Sequence, residues 1–367
     1  MAMRIFKNLF NKKKYDIQFF CSCPIDEVWI RSTLFNFHLN KLKVQLSVCG
    51  DLDPKLKELY LNNNIEVIDG ISNTFKKSAS YECTFCITAS SGINRNIYKT
   101  KAYKLIHMPH SLASFHMIYP EDAFFGYDEI FCSGPHHKAE VESLNKKYNM
   151  EISASEIGYG KFDLLQEDYK NYQLNRTKKE NSDKTKILIA PSWGSDNILD
   201  KFGPELSMLL IENNFEVIFR PHPIFFNDQS SNLKKIIELS KNNLLKLESP
   251  LIGDESIFFA DILIGDYSGI NLEFAALRNK PVISVDVKNK VANFNWKNLG
   301  LIPIEIKIRD YIGILVEPKI NKILDAIYQL EENIQPNQAK NNIYDRFLFN
   351  EGKCSDNALK RIYQLYK

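Results

Sequence analysis

A rhythm written twice along the chain constrains its fold more than any single motif. Short apolar runs at Asp16–Cys21, Lys43–Cys49, Glu66–Ile68, Cys83–Thr88, Tyr103–Met108, Glu129–Cys132 and Ile152–Ile157 alternate with amphipathic stretches such as Asp26–Leu39 and Pro54–Asn63. Strand-like runs separated by helical stretches predict βαβ units and a largely parallel sheet. A polar stretch, Gln166–Lys184, then interrupts the pattern. It has too few apolar residues to build a core and reads as a linker or an exposed helix–loop. The rhythm restarts at Lys186–Ala190, Phe215–Arg220, Leu245–Glu248, Ile262–Ile264 and Pro281–Val285. Two such halves predict an α/β chain of two Rossmann-like domains facing a cleft, with ligands beyond the carboxyl ends of the strands. The expected division is 1–165, a joint at 166–185, a second domain at 186–340, and a helical stretch at 341–367 that returns to brace the first domain.

Composition narrows the function classes. The 367 residues carry a formal net charge of only +2, so no field attracts nucleic acid. No apolar run is long enough for a transmembrane helix, and the N-terminus MAMRIFKNLFNKKKYD lacks the apolar core of a secretory signal. A cytoplasmic protein is expected. Its basic N-terminus, with Arg4, Lys7 and Lys12–Lys14 among Ile5, Phe6, Leu9 and Phe10, reads either as a peripheral contact with the inner membrane face or as a solubilising tail. The seven cysteines are odd in number and scattered, which suits reduced thiols. Cys83-x-x-Cys86 has metal or redox spacing, yet no second pair follows and the segment alternates like a buried strand; core cysteines are the expectation.

Chemistry concentrates where strands end. Ile262–Ile264 runs into Gly265-Asp266-Tyr267-Ser268-Gly269, then a helix with apolar Ile270, Leu272, Phe274, Ala275 and Leu277, closed by Lys280-Pro281. Small residues at a strand-to-helix turn leave backbone N–H groups and the helix dipole available to a phosphate. Glu273, one turn on, suits ribose hydroxyls; Asp266 or Ser268 as a simple helix cap is the plainer reading. In Asn214–Phe226 a strand delivers Arg220 and His222 past its end, a guanidinium fork and an imidazole suited to phosphate. The strand Lys186–Ala190 ends at Pro191-Ser192-Trp193-Gly194, where Trp193 packs either on a base or on the core. Five of the seven histidines lie between residues 107 and 137. His107 or His110 at a strand end suits a general base, whereas His136 and His137 read as surface helix residues. No Asp-x-Asp signature is read at a strand end, so no metal site and no cofactor are assigned.

Taken in order, these segments resemble the CDP-glycerol glycerophosphotransferase family of teichoic-acid and capsule synthesis, which has the GT-B fold. Ala190-Pro191-Ser192-Trp193-Gly194 is similar to the family's A-P-T-W-R, and Arg220-Pro221-His222-Pro223 to its R-x-H-P. Gly265–Glu273 with Lys280-Pro281 is similar to T-D-Y-S-S-x-x-F-D and K-P. Pro109-His110-Ser111 echoes the catalytic W-H-G or W-H-A, and Gly158–Asp163 the element G-Y-x-x-x-D. Pro109, Gly194 and Gly269 depart from an aromatic, a basic residue and a serine respectively.

The resemblance implies a transferase that moves glycerol- or ribitol-phosphate from a CDP-linked donor to a hydroxyl of a glycan or lipid-linked acceptor. In it His110 is the base and His222 assists at the donor phosphates. Ser192, Trp193, Gly194, Arg220, Asp266, Tyr267, Ser268, Gly269 and Glu273 line the donor site. The alternatives carried forward are a GT-B glycosyltransferase using a CMP- or UDP-sugar, a sugar-nucleotide epimerase, which lacks an evident carboxylate set, and a nucleotide-sensing protein without turnover.

Overall fold

The computed structural model describes residues 13–71, 74, 81–93, 104–175, 184–226, 230–249, 253–332 and 346–366. Of the N-terminal segment read as a membrane contact, residues 1–12 lie outside this set, while Lys13 and Lys14 open the first strand; residues 176–183 of the polar joint and 341–345 also lie outside it. The chain forms two units. Unit 1 takes Met1–Ser111, Tyr119–Leu164 and Asp345–Lys367; unit 2 takes Leu112–Ile118 and Leu165–Tyr344.

Unit 1 is a seven-stranded parallel sheet of β1 (Lys13–Cys21), β2 (Val44–Val48), β3 (Glu66–Ile68), β4 (Tyr81–Thr88), β5 (Lys104–His107), β6 (Glu129–Cys132) and β7 (Ser153–Glu156), in the order β3-β2-β1-β4-β5-β6-β7. Unit 2 holds six parallel strands, β8 (Lys186–Ala190), β9 (Glu216–Phe219), β10 (Lys246–Leu247), β11 (Ile262–Gly265), β12 (Val282–Val285) and β13 (Gly313–Val316), in the order β10-β9-β8-β11-β12-β13. Both sheets wind outward in opposite directions from a central pair, β1/β4 and β8/β11. At such a switch point the loops leaving the two strands part and open a crevice.

Helices on both faces exclude water, which is why the strands read as near-continuous apolar runs. Ile189, Phe219, Ile264 and Ile283 share one buried core in unit 2, and Phe19, Leu46, Phe85 and Ile87 share one in unit 1. Buried polar exceptions are paired: Gln18 Nε2 donates to Gln45 Oε1 and Ser47 Oγ, both at 3.1 Å. Strand β13 is absent from the sequence expectation. It is a four-residue edge strand opening on Gly313, where a Cβ would stand 1.8 Å from the Val282 carbonyl oxygen. So short an edge run, with Leu315 exposed, has no readable pattern.

Two expectations need correction. His137 is not a surface residue: it is fully buried at the start of the helix Pro135–Tyr148, and its Nδ1 accepts the Ser133 amide at 3.3 Å. Pro135, His136 and Lys138 around it are half-buried, so only one face of the first turn is turned inward, and polarity along the string does not say which residue falls on that face. An Asp-x-Asp does follow a strand, as Asp51-Leu52-Asp53 after β2. Asp53 caps the helix Pro54–Asn62, accepting the Lys55 and Leu56 amides at 2.9 and 3.2 Å. Cys83 and Cys86 are buried in the sheet. No helix among the described residues is long and apolar enough to cross a membrane.

The final helix, Cys354–Leu365, belongs to unit 1, where Cys354, Ala358 and Ile362 enter the core with Ile30, Leu34 and Phe37 of the helix Glu27–Leu39. Asp163 holds its first turn, accepting the Ser355 amide at 3.1 Å and the Cys354 amide at 3.3 Å. Arg361 pairs with the buried Glu129 at 2.6 Å. Ile362 is 0% exposed, so Ile362→Ala should cost about 2–4 kcal/mol by urea denaturation. A loss below about 0.5 kcal/mol would mean that the helix does not brace unit 1.

Candidate functional site

In unit 2 the candidate donor residues sit at or just beyond the carboxyl ends of β8, β9 and β11, except Glu273, which lies within the helix Gly269–Arg278. The centre is Asp266, the residue after β11, which is 4% exposed. Its Oδ1 accepts the Ser192 amide at 2.9 Å and its Oδ2 the Ile198 amide at 3.3 Å. One carboxylate thus ties the loop leaving β8, and the start of the helix Ile198–Glu212, to the end of β11. Burial raises the Asp266 carboxyl to about 6, against the lowering effects of Lys290 and of these amides. Gly265 is obligatory here: a Cβ would fall 2.1 Å from Asn271 Oδ1, and Asn271 Nδ2 donates to the Asp266 carbonyl at 2.6 Å.

Ser268 is the N-cap of the helix Gly269–Arg278, and its side chain makes no capping bond. Ser268, Gly269 and Ile270 are half-buried while Asn271 to Ala276 are buried. The N-terminal turn of the helix is thus accessible while its middle is buried, a geometry suited to an anion. Tyr267 is buried; its hydroxyl donates to Asp286 Oδ1 at 3.1 Å, and Arg309 lies 4.9 Å from its ring centroid. Tyr267 thereby packs the turn from beneath.

Arg220 follows β9 and is 5% exposed. Its guanidinium pairs with Glu248 and Asp254 and donates to the Gly253 carbonyl at 2.7 Å. Glu273 is also buried and lies within its field. The fork expected to face phosphate is engaged by Glu248 and Asp254, which ties the end of β9 to the segment after β10. Sequence reading missed Glu248 and Asp254, because their partner stands on another strand. His222, two residues on, is half-buried; its amide donates to the Pro191 carbonyl at 3.2 Å, and its Nδ1 accepts the Ile224 amide at 3.3 Å. That contact places the neutral-ring proton on Nε2, a donor suited to a phosphoryl oxygen.

Ser192 is buried and Trp193 half-buried. Trp193 is not a core residue: the ammonium of Lys290 lies 5.0 Å from its ring centroid. Lys290 also donates to the Ser192 hydroxyl. The sequence shows Lys290 only as one of several lysines after β12, with nothing to distinguish it.

In unit 1 the switch point is tied by Asp26. Its Oδ2 accepts the Ser22 amide at 2.8 Å, beyond β1, and the Ser90 hydroxyl at 2.8 Å, beyond β4. His107 and His110 separate here. His107 is fully buried with Nδ1 3.1 Å from the Ser90 carbonyl, and burial first, then the neighbouring His110, lowers its pKa to about 3. His110 is half-buried, with Nδ1 3.1 Å from the Ala89 carbonyl and Nε2 2.9 Å from the Tyr119 hydroxyl. A carbonyl accepts only from N–H, so Nδ1 carries the proton and Nε2 is the basic nitrogen. Trp29, with ring centroids 5.1 Å apart, and the Tyr159 hydroxyl, 3.2 Å from the His110 carbonyl, hold the ring and backbone. These aromatic partners are distant in sequence and were not anticipated.

Two parallel-sheet α/β units of this kind are the GT-B class of fold, shared by solved structures that match the whole chain. They include a UDP-GlcNAc 2-epimerase from Neisseria meningitidis bound to UDP-GlcNAc (TM-score 0.59, 11% identity, 96% of this chain and 100% of that one). A UDP-N-acetylglucosamine 2-epimerase from Rickettsia bellii matches with TM-score 0.58 at 14% identity, covering 97% of each chain. A glycosyltransferase from Rickettsia africae matches with TM-score 0.53 at 14% identity, over 98% of this chain and 100% of that one. Residues 128–289 match the model of the CDP-glycerol:poly(glycerophosphate) glycerophosphotransferase family, the family that the motifs resemble, which supports a transferase. No curated protein matches the chain.

Removing one partner from a buried ion pair strands the others. Arg220→Met should therefore destabilise unit 2 by roughly 3–5 kcal/mol in urea denaturation; unchanged stability would dissociate Arg220 from the scaffold. Asp266→Ala should cost about 1–3 kcal/mol at pH 7 by leaving two amides unpaired. Because the folded carboxyl titrates near 6 rather than near 4, the native state binds more protons between those values. The stabilisation is then full below pH ~4 and falls as pH rises through ~6. The gap between wild type and Asp266→Ala should narrow from pH ~4 to ~7; a widening gap would contradict the shift.

Proposed function

We propose that the protein transfers an alditol phosphate from a CDP-linked donor to a hydroxyl of a surface glycan or a lipid-linked teichoic- or capsule-type acceptor, releasing CMP. The observation that carries this reading is the family match over residues 128–289, whose span takes in Ser192, Trp193, Gly194, Arg220, His222, Asp266–Gly269 and Glu273. The half-buried helix start at Ser268–Gly269 and the Nε2 donor of His222 suit the diphosphate of such a donor. Arg220 acts through Glu248 and Asp254, as a positioning residue.

In the reaction, His110 Nε2 takes the proton of the acceptor hydroxyl, and the hydroxyl oxygen bonds to the β-phosphorus of the CDP-alditol. The bond from that phosphorus to the bridging oxygen breaks, and CMP leaves with the electron pair. The imidazolium formed is steadied by the Ala89 carbonyl, which accepts a hydrogen bond from Nδ1–H. Tyr119, whose hydroxyl donates to Nε2, occupies the place an acceptor hydroxyl takes in this scheme. Positioning and charge stabilisation supply most of the acceleration in phosphoryl transfer.

The test is CMP release from CDP-glycerol and CDP-ribitol over a panel of glycan and lipid-linked acceptors, beside UDP- and CMP-sugars. His110→Ala should retain donor affinity and lose roughly 10²–10⁴-fold in turnover. Turnover surviving that change removes His110 as the base. Release of UDP from a nucleotide sugar, with none of CMP from CDP-alditols, assigns the protein to the glycosyltransferase alternative instead.

A further inference from the structure

Lys290, in the segment after β12, makes an arrangement that the donor reading above does not use. Its ammonium donates to the Ser192 hydroxyl and lies 5.0 Å from the Trp193 ring centroid. No carboxylate of the described residues is within ion-pair distance of it. The charged groups that face it are Asp266, after β11, and Glu305, on the helix Ile304–Lys307. Both also accept backbone amides: Asp266 those of Ser192 and Ile198, and Glu305 Oε2 that of Ser114 at 2.9 Å. The stem of Lys290 runs beside Gly194, which has φ +124°, and a Cβ there would stand 3.0 Å from Lys290 Cγ. A half-buried ammonium beside a hydroxyl and an aromatic face, at a sheet's switch point, is placed to receive an anion.

We propose that Lys290 is the cation that binds the diphosphate of a nucleotide-diphosphate donor in unit 2, and that Gly194 is required to admit its side chain. The inference rests on the donor reading of unit 2 and adds the residue that recognises the charged part of that donor. With the ammonium on the diphosphate, the Ser192 hydroxyl is released to donate to the same group, so the two act as one anion clamp. Burial lowers the Lys290 pKa to about 8 in the absence of ligand. Phosphate next to the ammonium favours the protonated form, so binding near that pH draws a proton from solvent.

Titration calorimetry of the full chain with CDP and with cytidine, for wild type, Lys290→Met and Gly194→Ala, tests this. Lys290→Met should weaken CDP roughly 10- to 100-fold, the range of a charge-assisted hydrogen bond, with cytidine unchanged. Gly194→Ala, by displacing the stem, should act in the same direction. At pH 8, buffers of different ionisation enthalpy should reveal uptake of a fraction of a proton by wild type on binding CDP, and none by Lys290→Met. CDP affinity and proton uptake equal in wild type and Lys290→Met overturn the inference while leaving the donor reading intact. A wild type that binds neither CDP nor cytidine defeats the donor reading, and this inference with it. Should Lys290→Met fail to fold by circular dichroism, wild-type uptake decides alone: none at pH 8 overturns the role.

Discussion

The carboxylate of Asp266 holds together what the chemistry of unit 2 depends on. At the switch point the loops leaving β8 and β11 diverge, and nothing in a parallel ladder restrains them once pairing stops. Asp266 accepts one amide from the β8 loop and one from the helix that follows it, so a single buried group sets both walls. A buried carboxylate without such partners would be strongly unfavourable; burial raises its pKa, and Lys290 and the two amides oppose that rise. Unit 1 meets the same topological problem with Asp26, which joins Ser22 after β1 to Ser90 after β4. The two carboxylates come from different members of the central strand pair, so the likeness lies in the constraint rather than in the order of residues.

Around this centre, charges divide into those that build the site and those left to meet a ligand. Arg220 belongs to the first group: with Glu248 and Asp254 it forms a buried cluster that closes the ends of β9 and β10. Buried ion pairs of this kind contribute less to net stability than to fixing one arrangement, and are costly only when broken. Lys290 belongs to the second group. Its ammonium has a hydroxyl and a ring beside it, and no carboxylate of the described residues lies within ion-pair distance. In unit 1 the same division separates His107, neutral and buried, from His110, whose tautomer is set by the Ala89 carbonyl.

The amino-acid sequence alone carried the alternation of apolar runs and amphipathic stretches, and hence two parallel-sheet α/β units, because burial on both faces leaves a strand no choice but apolar residues. It also carried the strand ends to within one residue, expected at Ala190, Arg220 and Ile264 and found at Ala190, Phe219 and Gly265, since glycine, proline and small polar residues mark where ladder pairing stops. The motifs at those ends were legible as local strings. What tertiary structure alone decided is which side chains meet across strands. Arg220 finds carboxylates beyond β10, Trp193 finds Lys290 rather than a core, and His137 is buried although its helix start is polar. The cause is the crossover topology: residues adjacent at a sheet's carboxyl edge are tens of positions apart along the chain. A linear pattern records each residue's own burial and period, and it holds no term for its neighbour on the next strand.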